Sequence, residues 1–247
     1  MSICPYWGVV LSCLVLACKD KTSEEALDPC VDEGALASCL SPTQSAEYYV
    51  TQSDAYFDTM DSRVDLQQWP PYSELVARWE WPPWLKLTAF TREHIESSDT
   101  MLRQLLPSIV EDRVCEAFDT QPFGRCYVVF YYEEHDGLGC PIYEEFTFND
   151  QGEITFIEAW SDLPEYLPMD ANDTWAEADD VPRLSTRVPG LGNETGLIDL
   201  DGEAMTAAAE TDVDVADFVV RANDWAVTWQ EELEAAGDDL WDRGCGW

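Results

Sequence analysis

Two stretches in the first half of the chain repeat their inward-facing residues at the spacing of an α-helix. The first covers residues 45–61 and begins at Ser45, a good N-capping residue. Its stripe consists of Ala46, Tyr49, Val50, Ser53, Tyr56, Phe57 and Met60. The second covers residues 91–106. The pattern predicts two helices, the first of which packs its stripe against a core.

Prolines interrupt the segment between these helices. Pro70-Pro71 and Pro82-Pro83 forbid a helix that runs through both pairs, because proline lacks the amide hydrogen that an interior helical residue donates. Between the two pairs, residues 73–78 are predicted to form a short helix.

Three extended segments follow in the middle of the chain. They cover residues 125–133, 140–149 and 153–161 and are separated by short turns that contain glycine. Such turns join neighbouring strands in antiparallel order, so the segments predict an antiparallel meander. Helices followed by a meander place the chain in the α+β class.

The pattern after the meander is irregular and then helical again. Residues 163–201 are rich in Pro, Gly and Asp and are predicted to form a long irregular excursion. Helical spacing returns over residues 202–209 and 214–236, which we predict to be two closing helices.

The hairpin sequence YEEFTFNDQGEITFIEAWSD, residues 143–162, has a defined register if Asp150-Gln151-Gly152 is its turn and Gly152 is left-handed. The register pairs Phe148 with Ile154, Phe146 with Phe156, and Glu144 with Glu158. One face then carries the apolar residues together with both acids: Glu144, Phe146, Phe148, Ile154, Phe156, Glu158 and Trp160. This face is predicted to be buried, and a shift of one residue would separate the two acids.

Two carboxylates that lie close together on a buried face cannot both remain ionised at low cost. One pKa then rises, which is a common way to generate a general acid or base. Glu144 and Glu158 are therefore the candidate catalytic residues. In the alternative, they lie in water at the sheet edge, or one pairs with a buried arginine such as Arg78 or Arg125. His94 is a further candidate base, although a lone histidine early in a helix is more often a surface or core residue.

The charge balance limits which classes of molecule are expected to bind this protein. The chain has 50 Asp and Glu against 13 Lys and Arg, a formal net charge of −37. Phosphate backbones and anionic membrane surfaces would repel such a protein, so nucleic acid is not expected to bind. The acid excess favours a solubilising surface, with recognition of a cationic partner as the alternative.

The N-terminal residues carry the most specific local signal. Residues 8–17 are apolar but short for a bilayer span, and they end in Val15-Leu16-Ala17-Cys18. This motif resembles a bacterial lipobox, which predicts a signal peptide over residues 1–17, lipidation at Cys18 and a polar tether over residues 18–44. An ordinary secretory signal is the alternative, since residues 1–7 contain no Lys or Arg. The predicted location is the bacterial cell envelope, facing the periplasm or the exterior.

The cysteine count agrees with an exported protein. Without Cys4, Cys13 and Cys18, the nine cysteines leave an even set, which indicates disulfides in an oxidising compartment. Proximity favours two bonds and leaves the last two cysteines for each other: Cys30–Cys39, Cys115–Cys126 and Cys140–Cys245. A zinc site is the rival interpretation, but the sequence has no CxxC pair, and we expect neither metal nor cofactor.

Three segments resemble the SnoaL-like branch of the NTF2-like superfamily. They are SAEYYVTQSDAYFDTMD in the first helix, LKLTAFTREHI before a later helix, and EEFTFNDQGEITFIEAWSD in the hairpin. The resemblance covers residues 45–165 and implies a cone, formed by a curved antiparallel sheet with N-terminal helices. Residues 166–247 match nothing in the family and form a C-terminal extension, expected to pack on the domain.

The resemblance implies a role in the cone but does not select a reaction, because the family includes ligand-binding proteins as well as cyclases, isomerases and hydrolases. Binding of a small, largely apolar ligand is the leading expectation. An enzyme that uses the paired carboxylates is the second, and a structural or interaction lipoprotein with a filled cone is the third. Membrane contact is expected only through the lipid anchor.

The expected ligand contacts come from the first helix, the hairpin and the Trp-rich segment that corresponds to the family's cone mouth. They are Tyr49, Ser53, Tyr56, Trp79, Trp81, Trp84, Phe146, Phe156 and Trp160. Indole rings there, with Glu80 nearby, suit an apolar ring, a sugar face or a cation. The alternative is that these rings, together with Trp69, only pack the core.

Overall fold

A single mixed sheet with helices on both sides organises the molecule, as seen in a computed structural model. The structure describes residues 40–81, 89–119, 121–162, 184–188, 200–223, 235 and 245–246. The predicted α+β class is confirmed.

Two helices form where the sequence predicts them. One precedes the first strand, and the other lies between the second and third strands. Helix α1 covers Ala46–Tyr56, and the Ser45 side chain accepts a hydrogen bond from the Tyr48 amide at 3.2 Å. A 3₁₀ turn, Phe57–Thr59, extends it. Helix α2 covers Arg92–Leu105 and is capped by Thr91. Both predicted helices are confirmed, because each begins at a side chain that satisfies exposed amides of the first turn.

The sheet has six strands in the order β2-β1-β6-β5-β4-β3. The strands are β1 Tyr72–Trp81, β2 Ala89–Phe90, β3 Ser108–Ala117, β4 Gly124–Tyr132, β5 Gly139–Phe148 and β6 Ile154–Ser161. Strands β3 to β6 form an antiparallel meander, whereas β1 lies parallel to β6. The predicted meander is confirmed and gains β3, which the sequence pattern did not indicate.

Strand β1 replaces the short helix predicted over residues 73–78, so that prediction was wrong. The strand lies between β2 and β6, and its consecutive residues Val76 and Ala77 belong to two different buried clusters. Apolar residues therefore occur at consecutive positions, which hides the period of two that marks a strand with one buried face.

Each face of the sheet has its own core. The face that holds α1 and α2 bears the interior cluster, defined by Tyr49, Tyr56, Val76, Phe130, Phe146, Ile157 and their neighbours. The opposite face bears the outer cluster: Ala77, Trp79, Phe156, Leu184, Val188, Leu200, Met205, Val215, Phe218 and Ala222. The outer cluster joins the sheet to the C-terminal extension.

The extension contributes three helices among its described residues: α3 Leu184–Arg187, α4 Glu203–Ala209 and α5 Val213–Asn223. Helices α4 and α5 agree with the helices predicted over residues 202–209 and at the start of 214–236. Residues 224–234 and 236 of the second prediction lie outside the described residues.

The hairpin register differs from the predicted one beyond its first pair. Phe148 faces Ile154 as predicted, and Gly152 is left-handed with φ 80°. An irregularity next to this pair then shifts the register, so that Glu145, not Glu144, faces Glu158. The predicted placement of Glu144 and Glu158 on one face was wrong, because the extra residue at Thr155 rotates the rest of β6.

Two of the three predicted disulfides are confirmed. Cys115 and Cys126 face each other across β3 and β4, and Cys140 on β5 is bonded to Cys245. The pair Cys30–Cys39 and the lipidation site Cys18 lie outside the described residues. Within the part of the chain that the structure describes, no helix is both long and apolar enough to cross a membrane.

Candidate functional site

Two glutamates flank an alanine on the inner face of the sheet. Ala159 of β6 has Glu80 of β1 as its partner on one side and Glu144 of β5 on the other. Partner residues on adjacent strands point to the same side of a sheet. The charge of Glu80 raises the pKa of Glu144, so the two carboxyl groups are close enough to interact. A pair of acids does exist in this protein, but its members are Glu80 and Glu144.

Glu144 is a buried acid whose pKa is strongly perturbed. Its side chain is 3% exposed, and its Oε2 atom has no hydrogen-bond partner among the described residues. Burial raises the pKa of Glu144 well above its usual range; the Arg78 guanidinium opposes this rise, and the carboxylate of Glu80 adds to it. Burial therefore favours the neutral form of this carboxyl, which can donate as well as accept a hydrogen bond.

A buried ion pair lies beside the two acids. Arg78 of β1 and Asp99 of α2 are both fully buried, with 2.6 Å between Nη1 and Oδ1. Removal of two charges from water is costly unless further hydrogen bonds complete both groups. The ion pair connects the strand to the helix that covers it.

Neighbouring hydroxyl groups complete this ion pair. Arg78 donates to the Tyr56 hydroxyl at 2.9 Å and to Ser98 Oγ at 2.6 Å. Thr59 Oγ1 donates to Asp99 Oδ2 at 2.8 Å. The opposite charges of Arg78 and Asp99 thus balance within one hydrogen-bonded network next to Glu144.

Two tyrosines add polar groups to the same interior. Burial raises the pKa of Tyr72 and of Tyr132 well above the usual range, and the charges of nearby acids add to both rises. The Tyr72 hydroxyl has no hydrogen-bond partner among the described residues. Two phenols and the Glu144 carboxyl therefore lie among the aromatic rings of the interior cluster.

The structure spreads the predicted ligand contacts on α1 over two environments. Tyr56 belongs to the polar network around Arg78. Tyr49 instead stacks on Phe123, with 5.2 Å between ring centroids, and its hydroxyl accepts hydrogen bonds from the amides of residues 43 and 44. Ser53 is fully buried beside Gly124, where the lack of a Cβ leaves room for it. Tyr49 and Ser53 lie where the helix packs on the sheet.

The predicted aromatic contacts of the strands are also divided between the two faces. Phe146 lies in the interior cluster, whereas Trp79 and Phe156 lie in the outer cluster. Trp160 is fully buried and lies two residues from Glu158, on the same outer face of β6. Nothing is described of the Trp81 side chain, and Trp84 lies outside the described residues.

Glu158, the other predicted catalytic acid, lies under the C-terminal extension. Its Oε1 atom accepts a hydrogen bond from the amide of Leu184 at 2.6 Å. Across the strand pair, Glu145 binds Arg125, with 2.5 Å between Oε1 and Nη2. The outer face therefore holds its acids in specific contacts with an amide or an arginine.

Sequence reasoning missed the assembly of Arg78, Glu80 and Asp99 with Glu144. A signal was present, because charged residues occur at alternate positions of the apolar segment VARWEW, residues 76–81. In a strand, that spacing directs both charges to one face. Among the described residues, no group of three His, Cys, Asp or Glu side chains is placed to hold a metal ion.

Comparison with known proteins assigns no family to this chain. No family model matches the chain, and no curated protein matches it. One similar solved structure is an isomerase candidate of the SnoaL-like family from Agrobacterium tumefaciens strain C58, with a TM-score of 0.37 and 12% sequence identity. The match covers 47% of this chain and 99% of that one. A likeness at this level says nothing about ligand or reaction.

Proposed function

We propose that the protein binds a small, largely apolar ligand inside the curved sheet and that Glu144 forms a hydrogen bond with the ligand's polar group. The observation that carries this proposal is the unpartnered Oε2 atom of a buried Glu144. A buried polar atom without a hydrogen-bond partner lowers the stability of the folded protein by about 1–3 kcal/mol. A ligand that supplies the missing hydrogen bond recovers part of that loss.

The surroundings of Glu144 favour a neutral ligand. The charges of Arg78 and Asp99 balance each other within the ion pair. The raised pKa of Glu144 favours the uncharged form of this carboxyl. Aromatic rings of the interior cluster provide apolar contact, as in most small-molecule sites. A ring compound with one hydroxyl or carbonyl group matches these properties.

A second function, proton-transfer catalysis in an isomerase, cyclase or hydrolase, is favoured by the pair of Glu80 and Glu144. Two neighbouring acids with unequal environments are a common source of one protonated and one ionised carboxyl. In this alternative, Glu144 exchanges a proton with a bound ligand. Glu158 is not assigned a role in proton transfer, because its carboxylate supports the C-terminal extension.

Binding is tested with two ring compounds that differ by one hydroxyl group, 2-naphthol and naphthalene, in ligand-observed NMR titrations. The wild-type protein should prefer 2-naphthol by about tenfold, the contribution of one hydrogen bond. Glu144→Leu should abolish the preference and Glu144→Gln should retain part of it. Glu158→Gln is the matched control, and its preference should equal that of the wild type.

Two outcomes would contradict the binding proposal. If neither compound binds saturably, the interior is filled by its own side chains and the protein has a structural role. If Glu144→Leu keeps the preference for 2-naphthol, the ligand does not contact Glu144.

Proton transfer is tested separately with 2-tetralone, whose α-hydrogens exchange with solvent deuterium. The wild-type protein should accelerate exchange, Glu144→Gln should not, and Glu158→Gln should match the wild type. Equal exchange rates with and without protein would exclude catalysis on this compound while leaving ligand binding intact.

We also propose that the protein is lipid-anchored at Cys18 and faces the outside of the cytoplasmic membrane. The two disulfides support an oxidising compartment, and the lipobox-like motif supports the anchor. Mass spectrometry of the mature N-terminus should find a diacylglyceryl group on Cys18, and Cys18→Ser should release the protein from the membrane fraction. An unmodified mature chain that begins at another residue would contradict the anchor.

A further inference from the structure

A groove on the surface lies apart from the interior of the sheet. It has a volume of about 490 Å³ and lies between the segment after the 3₁₀ turn and the last turns of α2. Its lining residues are Ser62, Asp65, Leu66, Trp69, Thr100, Arg103 and Gln104. The volume falls within the range of roughly 300–1,000 Å³ that is typical of small-molecule sites.

Arg103 fixes the shape of the groove. Its guanidinium donates to the carbonyl oxygen of Val64 at 2.6 Å and to that of Asp58 at 3.3 Å. These bonds tie the segment that carries Asp65 and Trp69 to helix α2. Because the guanidinium is engaged with backbone carbonyls, and Asp65 adds negative charge, the groove is a poor site for an anion.

The remaining polar groups of the groove are mainly hydrogen-bond acceptors. Ser62 already donates to Glu133 and Thr100 to the carbonyl oxygen of Glu96, so both hydroxyls retain only acceptor capacity. The Asp65 carboxylate is also an acceptor. A ligand that satisfies these groups carries several hydrogen-bond donors.

Trp69 provides the apolar surface of the groove. Its indole is partly buried against the interior cluster, and the rest of the ring lines the groove. Trp79, by contrast, is 3% exposed and belongs to the outer cluster. An indole beside several acceptors suits a rigid ring that has C–H groups on one face and hydroxyl groups at its edge.

We propose that this groove binds a neutral saccharide of one or two pyranose units, stacked on Trp69 and hydrogen-bonded by Asp65 and Gln104. Pyranose rings combine an apolar face with several hydroxyl donors, which matches the groove on both counts. The bound saccharide lies outside the sheet, so its binding is independent of a ligand near Glu144.

The test uses the complete protein and three probes in isothermal titration calorimetry and saturation-transfer NMR. Cellobiose should bind saturably. Sorbitol, a polyol without a ring face, and digalacturonate, an anionic disaccharide, should not. Trp69→Ala and the double variant Asp65→Ala/Gln104→Ala should each lower the affinity for cellobiose by about tenfold or more. Gln68→Ala, at an exposed position that does not line the groove, should leave the affinity unchanged.

Trp69 contacts the core, so Trp69→Ala is interpreted only if its near-ultraviolet circular dichroism matches the wild type. The double variant changes two exposed side chains and decides the question in either case. The proposal is overturned if wild-type protein does not bind cellobiose, if sorbitol binds equally well, or if the double variant keeps the wild-type affinity.

Discussion

The inner and outer faces of the sheet are both buried, yet they accommodate charged groups in different ways. On the inner face, Arg78 and Asp99 form a closed ion pair, while Glu144 keeps an atom without a partner among the described residues. On the outer face, Glu145 binds Arg125 and Glu158 binds a backbone amide of the extension. The outer acids hold the structure together, whereas one inner acid keeps an oxygen without a described donor.

The comparison separates two glutamates of one hairpin that look alike in sequence. Both are at most 5% exposed, so burial alone does not distinguish them. The difference lies in hydrogen bonding, because the amide of Leu184 donates to Glu158 Oε1, whereas Glu144 interacts with Tyr56 but has no described donor at Oε2. A buried acid is a functional candidate when its desolvation is left uncompensated.

The largest effect is expected from removal of one member of the inner ion pair. Arg78→Met leaves the Asp99 carboxylate buried without its counter-charge, which should lower the free energy of unfolding by about 3–5 kcal/mol. The double variant Arg78→Met/Asp99→Leu should lose less than the single variant. Urea unfolding of both variants measures this coupling. Strictly additive losses would show that the two groups do not stabilise each other.

The next effect concerns the disulfide that joins the inner face to the C-terminus. Cys140→Ser/Cys245→Ser should lower the free energy of unfolding by about 2–4 kcal/mol. The pair Cys115→Ser/Cys126→Ser is the matched control. The two bonds span 105 and 11 residues, so the chain-entropy model gives the longer loop about 2 kcal/mol more stabilisation. Equal losses in denaturant unfolding would contradict the entropic explanation.

A smaller and more local effect is expected on the outer face. Glu158→Ala removes the acceptor of the buried Leu184 amide and should cost about 1–3 kcal/mol. Hydrogen exchange should accelerate in α4 and α5 more than in α1, because the lost contact anchors the extension. Glu158→Gln keeps an acceptor and should have the weaker effect. Equal acceleration in α1 would mean that the extension is not a separate unit on this face.

Of these changes, Glu144→Gln is expected to have the smallest effect on the free energy of unfolding at low pH. The raised pKa of Glu144 means that the folded protein keeps a proton that the unfolded chain releases above the ordinary pKa of 4.5. Wild-type stability should therefore fall as the pH rises through this window, by at most about 1.4 kcal/mol per pH unit for one group. Glu144→Gln cannot ionise and should lack this decline. Parallel stability profiles of the two proteins between pH 4 and 8 would contradict a raised pKa.

The sequence by itself determined the features that depend on local chemistry. Ser45 and Thr91 cap their helices because each side chain accepts a hydrogen bond from an amide three residues later. Gly152 marks the hairpin turn because its left-handed backbone suits glycine. Both described disulfides followed from cysteine number and spacing. None of these features requires knowledge of distant contacts.

Only the tertiary structure decided which face each strand residue occupies. All eight residues of β6 are buried, so no alternation of apolar and polar positions fixes the inner face. The bulge at Thr155 then placed both Phe156 and Glu158 on the outer face and not on the predicted inner face. The parallel pairing of β1 with β6 likewise placed Glu80 and Arg78 inside. When both sides of a sheet are buried, contacts between distant segments set the register, and with it which glutamates lie on the inner face.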